Sequence, residues 1–257
     1  MFNFIIYSFI FIFGLLIGSF LNCVIYRLEK EESFVSGRSY CPYCKKTLKA
    51  MDLIPILSFL ALRGKCRYCQ KKISRQYPLV ESGTAFLFVL VFQHFENSLN
   101  FLGIIFYSAI FCFLIIVFVY DLKHFLIPDK IIFPAIVLAL IYNFFDFNNL
   151  LFNFFPSAFG ALIFFLIIFL ISKGKWLGFG DVKLVFLLGL FLGFPNILVA
   201  LFLSFTIGAI IGIGLIVLKS KNLKSEVPFA PFLVLGSLIA FFWGEKILSW
   251  YLSLIIY

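Results

Sequence analysis

Charge is scarce in this chain. Only 13% of its 257 residues are Asp, Glu, Lys or Arg, and just 12 of them are acidic. A water-soluble domain carries about 25% charged and about 45–50% apolar residues, whereas here 63% are hydrophobic. The shortage excludes an ordinary soluble globular domain, a disordered chain, and a soluble enzyme with one membrane anchor. The amino terminus also lacks the basic flank of a secretory signal. Its apolar run is too long for one and is followed by Arg27 and Lys30, so it reads as a retained first span with the amino terminus outside.

What fills the chain instead is a series of apolar runs, with 39 phenylalanines among them. A helix needs about 20 apolar residues to cross about 30 Å of hydrocarbon. Such runs lie near residues 2–26, 78–93, 100–120, 130–145, 150–171, 182–195, 197–218 and 229–253. The sixth and seventh are continuous and too long for one crossing, and Gly193-Phe194-Pro195-Asn196 between them is a turn signal that makes them a helical hairpin. The expected fold is therefore an all-α polytopic membrane protein of about eight transmembrane helices. Residues 1–26 form the first helix, residues 27–77 a small domain outside the lipid, and residues 78–257 a seven-helix membrane domain.

The basic residues test that count. Twelve of the 21 Lys and Arg fall in residues 27–77, and with eight spans 20 of the 21 lie on one face. The positive-inside rule makes that face cytoplasmic and puts both termini outside. The formal charge of +9 is thus mostly a topology signal, and nucleic acid is not an expected partner. The expected surroundings are a lipid bilayer.

Residues 27–77 are too few to build much core, and pieces of that size usually need a staple. Cys41-Pro42-Tyr43-Cys44 and Cys66-Arg67-Tyr68-Cys69 supply one. Two Cys-x-x-Cys knuckles can surround one Zn2+ with four thiolates, although the interval between them lies just beyond the usual range. The alternatives are two disulfides, which conflict with a reducing cytoplasm, or four unliganded thiols. Cys23 and Cys112 lie within apolar runs and read as small buried residues.

Ionisable groups in membrane spans are costly and mark function by default. Glu96, Asp146, Glu226 and Glu245 read as solvated ends or loops, while Glu81, Asp121, Asp129 and Asp181 fall at the cytoplasmic edge. Asp121 ends the third run and Asp181 opens the sixth, which puts both at one depth although 60 residues separate them. Two carboxylates brought together share a proton, so one can act as base on a water while the other polarises a carbonyl. The same residues also read as caps: Asp181 and Asp129 at helix starts, and Asp121 neutralised by Lys123. A third reading is a transporter or channel that uses Asp121 and Asp181 as an ion or proton path. Against it, both lie at one face rather than the midplane, and no internal repeat is apparent.

Taken together the motifs resemble a known family. Gly18-Ser19-Phe20-Leu21-Asn22 with Tyr26-Arg27, the paired knuckles, and Tyr77-Pro78-Leu79-Val80-Glu81 are similar to the type IV prepilin peptidases. So are Asp121-Leu122 with Pro128-Asp129, Gly178-Phe179-Gly180-Asp181-Val182-Lys183-Leu184, and Pro228-Phe229-Ala230-Pro231-Phe232. The resemblance runs from residue 18 to about 237. It implies an aspartic endopeptidase of the bacterial inner membrane with its active site at the cytoplasmic face. Such an enzyme cleaves prepilins and pseudopilins after a glycine, and it methylates the new amino terminus, often Phe, with S-adenosylmethionine. The catalytic aspartates match Asp121 and Asp181, the Gly-x-Gly-Asp pattern is similar to that of intramembrane aspartyl proteases at large, and the cysteines favour retained methyltransferase activity. No Gly-x-Gly-x-x-Gly fingerprint follows a strand, so the usual methyltransferase sheet is absent. Candidates for binding S-adenosylmethionine or substrate are Asn22, Arg27 and Glu81. Each has a plainer role beside that one: an interhelical hydrogen bond, a topology anchor and an ion-pair partner.

Overall fold

The computed structural model describes residues 2–33, 37–96, 98, 100–145, 149–218 and 227–255. Lys219, Lys221, Lys224 and Glu226, which enter the sequence-based topology, lie outside the described residues, as does Asp146. Nine α-helices account for most of the described chain: α1 (Phe2–Glu29), α2 (Leu57–Ala61), α3 (Gln76–Phe95), α4 (Phe101–His124) and α5 (Asp129–Phe144) come first. They are followed by α6 (Phe155–Ser172), α7 (Phe179–Leu192), α8 (Asn196–Val217) and α9 (Ala230–Ile255), and a π-helical turn at Leu150–Phe154 runs directly into α6. No strand is present among the described residues, only two isolated bridges. An apolar chain without water must satisfy its backbone within each segment, and helices do that.

Each of the eight apolar runs is helical, and the break at Gly193 to Asn196 falls where the turn signal stands. Six helices are long and apolar enough to cross a membrane: α1, α3, α4, α6 with its π turn, α8 and α9. Six of the eight expected spans therefore meet the length of a full crossing, and α5 and α7 fall short of it. The 16 residues of α5 and 14 of α7 reach about 24 Å and about 21 Å at 1.5 Å per residue.

Two compact units are present, Met1–Ile116 and Val117–Tyr257. In the first, α1 and α3 pair along a seam of small residues. A Cβ added at Gly14 would stand 2.6 Å from the Ala85 Cα, and one at Gly18 would stand 2.7 Å from the Glu81 Cα. Gly14 and Gly18 thus form the small-xxx-small spacing that lets membrane helices approach closely. Tyr7 closes the far end by donating to Glu96 Oε2 at 2.7 Å.

In the second unit α7 is the core. Leu184, Val185, Leu188 and Leu190 are wholly buried, with α5, α6 and α9 packed around the helix. Gly189 lies directly on the backbone of Ala158 in α6, and Asn143 Nδ2 donates to the Leu190 carbonyl at 2.8 Å. α7 is thus enclosed by protein along most of its length.

Candidate active site

Asp121 lies in the last turn of α4 and Asp181 in the first turn of α7, both in the second unit and both buried. Local sequence sets each. Gly178 is extended ahead of α7, and its N–H donates to Asp181 Oδ2 at 3.1 Å, so this carboxylate does close the helix start as a cap. Gly180 lies against Ile127, where an added Cβ would stand 3.0 Å from the isoleucine Cβ. The backbone N–H of Ala230, the first residue of α9, donates to the Asp121 carboxylate. That contact gives the Pro228-Phe229-Ala230-Pro231-Phe232 motif a physical role, since its helix start carries free N–H groups and partial positive charge.

The second oxygen of Asp121, Oδ2, is buried with no hydrogen-bond partner among the described residues. The Asp121 carboxylate is also close enough for its charge to act on Asp181. Two residues 60 positions apart in sequence therefore lie at helix ends within reach of each other's charge, with one oxygen left uncommitted. Buried polar atoms are seldom left unpaired, and those that are call for an explanation in chemistry. A shielded carboxylate pair of this kind can hold one proton between its members and exchange it with a bound water or carbonyl.

Sequence reasoning takes Asp129 as a cap and Lys183 as a topology marker. The structure joins them. Lys183 Nζ lies 2.6 Å from Asp129 Oδ1, linking the first turns of α5 and α7, and it also lies over the rings of Phe133 and Phe179. No spacing rule points to this pair, because it spans two helices and 54 residues.

In the first unit the four predicted cysteines form one cluster. The Sγ atoms of Cys41, Cys44, Cys66 and Cys69 all lie within 4.8 Å of one another, and all four thiols are free. Cys41 and Cys69 are 3.9 Å apart, close to the roughly 3.8 Å edge of a tetrahedron with Zn–S bonds of about 2.3 Å. The knuckles repeat one design at an offset of 25 residues. Tyr40 bridges Thr47 as Lys65 bridges Lys72. The Cys41 N–H donates to the Lys46 carbonyl at 2.9 Å, as Cys66 does to Lys71. Lys45 and Gln70 both take positive φ, at 58° and 57°. The two halves are also reciprocal, with Lys46 over the Tyr68 ring at 5.1 Å and Lys71 over the Tyr43 ring at 4.8 Å.

The donor chemistry fits a metal. Burial pushes the Cys66 thiol up, but the N–H groups of Cys69 and Tyr68 and the adjacent thiols outweigh it and bring Cys66 to about 7. The Lys71 N–H lowers Cys69, yet burial and the other three thiols together push it up to about 11. Backbone donors directed at sulfur stabilise thiolate, and crowded thiols release their shared protons when a cation takes their place. Asp52 ties the connecting loop to the second knuckle, accepting from Arg67 Nε at 2.7 Å and from the Tyr68 hydroxyl at 3.1 Å. Burial pushes its carboxyl up, but these donors and the Lys49 N–H hold it below its ordinary value.

Asn22, Arg27 and Glu81 are each engaged within the chain. Asn22 Nδ2 donates to the Gly18 and Tyr77 carbonyls, and its Oδ1 accepts from Gln76, so the interhelical role is filled. Arg27 is buried and grips the carbonyls of Ser33, Gly37 and Arg38, holding the chain as it leaves α1. Glu81 accepts from the Ile56 N–H at 2.8 Å and from the Ser19 hydroxyl. These partners are uncharged, where the ion-pair reading expects Arg27.

Two family models match the chain. The Bacterial Peptidase A24 N-terminal domain covers residues 12–95, and the Type IV leader peptidase family covers residues 108–213. Among curated relatives, the Prepilin leader peptidase/N-methyltransferase of Aeromonas salmonicida is 35% identical, over 97% of this chain and 95% of that protein. The protein of the same name from Bacillus subtilis is 35% identical over 96% and 98%, and that from Pseudomonas aeruginosa is 32% identical over 93% and 91%. No solved structure matches the chain.

Proposed function

The chain belongs to the type IV leader peptidase family, and on that premise we propose that Asp121 and Asp181 cut the leader from prepilins and pseudopilins after its glycine. It is an aspartic endopeptidase of a multi-pass membrane protein class that also carries N-methyltransferase activity. The observation that supports the reading is the burial of Asp121 and Asp181 at two helix ends within reach of each other's charge, with Asp121 Oδ2 unpartnered among the described residues.

The mechanism follows from that geometry. The ionised carboxylate of the pair removes a proton from water as the water oxygen attacks the scissile carbonyl. The protonated carboxyl gives its proton to the carbonyl oxygen, and a tetrahedral diol forms. The proton then held by the former base passes to the leaving nitrogen as the C–N bond breaks, while the former acid takes back the proton of one diol hydroxyl. This restores the pair and releases a carboxylic acid, which ionises in water, and the new amino terminus. Helix ends suit the task, because the substrate must leave its own helix there to present a carbonyl to water. The Gly178 and Ala230 N–H groups hold the two carboxylates in place.

In this reading residues 27–77 form a zinc-stapled domain whose four thiolates would hold the ion as a structural centre. The proposed methyl donor is S-adenosylmethionine. Asn22, Arg27 and Glu81 are already engaged within the chain, so no step is assigned to them. The proposed orientation is the one the basic residues support: termini outside, aspartates and thiols on the cytoplasmic side.

The test is a reconstituted cleavage assay on a prepilin peptide with Asp121→Asn and Asp181→Asn. Either change is expected to lower cleavage by about 10²- to 10⁴-fold, the range for a lost acid–base group, with helix content and membrane insertion intact. A correctly inserted variant that still cleaves at the wild-type rate removes the assignment. Adding S-adenosylmethionine and following the mass of the cleaved product tests the second activity.

A further inference from the structure

Residues 51–60, between the two knuckles, contradict the polar character of their domain. Met51, Leu57 and Leu60 are 67%, 64% and 64% exposed, and Leu53 and Ile54 are exposed beside them. Leu57 and Leu60 lie one turn apart on α2 and share a face, whereas Phe59 of the same helix turns inward against Gly64. An apolar face of this kind marks an interaction surface.

Its position names the partner. Ile56 has φ +59° and ψ −51°, a conformation rare for a β-branched residue. The Leu57 N–H turns back to the Pro55 carbonyl, which makes a γ-turn of the strained, positive-φ kind. The Ile56 N–H is held by Glu81 Oε2 at 2.8 Å. Glu81 is the sixth residue of α3, a helix long and apolar enough to cross a membrane. It therefore lies about 7–8 Å in from the helix start at 1.5 Å per residue. A backbone group bonded to Glu81 therefore sits beside a helix of membrane-spanning length, within its first two turns. Pro55 is buried there as well. Lys49 and Arg63 flank the segment, and Lys65 and Arg75 follow, all exposed. Basic side chains around an apolar face match the phosphates of an anionic leaflet.

We propose that residues 51–60 are an interfacial anchor, with Leu57 and Leu60 seated among the acyl chains of the leaflet that the thiol domain faces and Glu81 holding the segment at that depth. The proposal rests on the membrane-length helices and not on the roles given to the aspartates. A water-facing position would leave this apolar face in solvent beside a helix mouth that is itself surrounded by lipid.

The experiment uses the full chain in which Trp176, Trp243 and Trp250 are replaced by Phe, with one Trp introduced in turn as Leu57→Trp, Leu60→Trp or, on the first knuckle, Thr47→Trp. Each is reconstituted in phosphatidylethanolamine–phosphatidylglycerol vesicles carrying bromine at shallow acyl positions. Brominated lipid is expected to lower emission at positions 57 and 60 by at least about twofold, as for an interfacial apolar face, with little quenching by aqueous acrylamide; position 47 is expected to show the reverse. The proposal is overturned if acrylamide reaches positions 57 and 60 as freely as position 47. It is overturned equally if those positions are shielded from acrylamide only after a prepilin peptide is added, which would give the face to the substrate. Two probe positions keep the test decisive where one substitution disturbs the turn.

Discussion

The aspartate pair and the thiol cluster are both small groups of polar residues gathered from distant parts of the chain, but they are gathered by opposite means. Asp121 and Asp181 are carried by apolar helices that pack mainly through buried side chains away from the carboxylates, and the enclosed α7 carries one of them. The four cysteines sit in short turns with two bridges and almost no apolar core. In the first case the scaffold is stable and the site is an expense to it. In the second the site is the scaffold. Removing the polar groups should therefore abolish chemistry in one region and structure in the other.

The sharpest way to break that contrast is to remove the metal. Structural zinc binds zinc-finger peptides with about 10–16 kcal/mol at neutral pH, and that binding energy is folding energy. Cys41→Ser or a strong chelator is expected to unfold residues 27–77, read as loss of metal and as trypsin cleavage at Arg63 and Lys65. A metal-free chain that stays trypsin-resistant contradicts it. Next in size is the loss of cleavage in Asp121→Asn and Asp181→Asn; here the same trypsin pattern and unchanged helix content should accompany an inactive enzyme. If either change unfolds the helices, the scaffold does depend on its carboxylates.

Smaller effects sharpen the comparison. Gly18→Leu and Gly189→Leu drive a side chain into neighbouring backbone, and each is expected to destabilise its helix pair by about 1–3 kcal/mol, measured as a lower midpoint of thermal unfolding in detergent. The thiol cluster should respond to pH where the helices do not. Cys69 at about 11 must lose its proton to bind metal, while Cys66 at about 7 is near half ionised at neutrality. Protons compete with the metal, so affinity falls as pH falls, by about tenfold per pH unit for each proton released; calorimetry in buffers of different ionisation enthalpy counts those protons. Smallest of all is the Asp129–Lys183 pair. Asp129 is more than half exposed, and exposed pairs contribute about 0–1 kcal/mol, so Lys183→Met should move the unfolding midpoint little. A drop in cleavage beyond about tenfold would show instead that the pair positions the first turn of α7.

How much of this was legible in the sequence follows from the range of each signal. The helices and the break at Gly193 could be read because hydropathy is local and a lipid environment admits few alternatives. The cysteines could be read because metal chemistry constrains spacing. The aspartates were visible because charge beside an apolar run is rare, although their meeting needed tertiary structure. Lys183 shows the limit: counted as a topology marker, it is also half of an ion pair whose partner is 54 residues away. Gly14 and Gly18 carried a readable small-residue spacing that hydropathy alone passes over. Arg27 and Glu81 stood out as charges beside apolar runs, but apart from the Ser19 hydroxyl on Glu81 their partners are backbone groups of loops, and no pattern of residue types announces a backbone partner. The lengths of α5 and α7 were illegible for a related reason, since an apolar run does not reveal whether it faces lipid or protein.

The reciprocal lysine–tyrosine contacts carry one more consequence. Because each knuckle supplies the cation for the other's ring, the two halves associate as the subunits of a dimer do, with the connecting residues standing in for a second chain. Their encounter is then governed by an effective concentration, and such a quantity falls only slowly with tether length. Doubling a flexible connector costs about 0.6 kcal/mol. The interval between Cys44 and Cys66, longer than common zinc motifs allow, therefore costs the domain little as a tether, which leaves its middle, residues 51–60, open to a second use while the two halves continue to find each other.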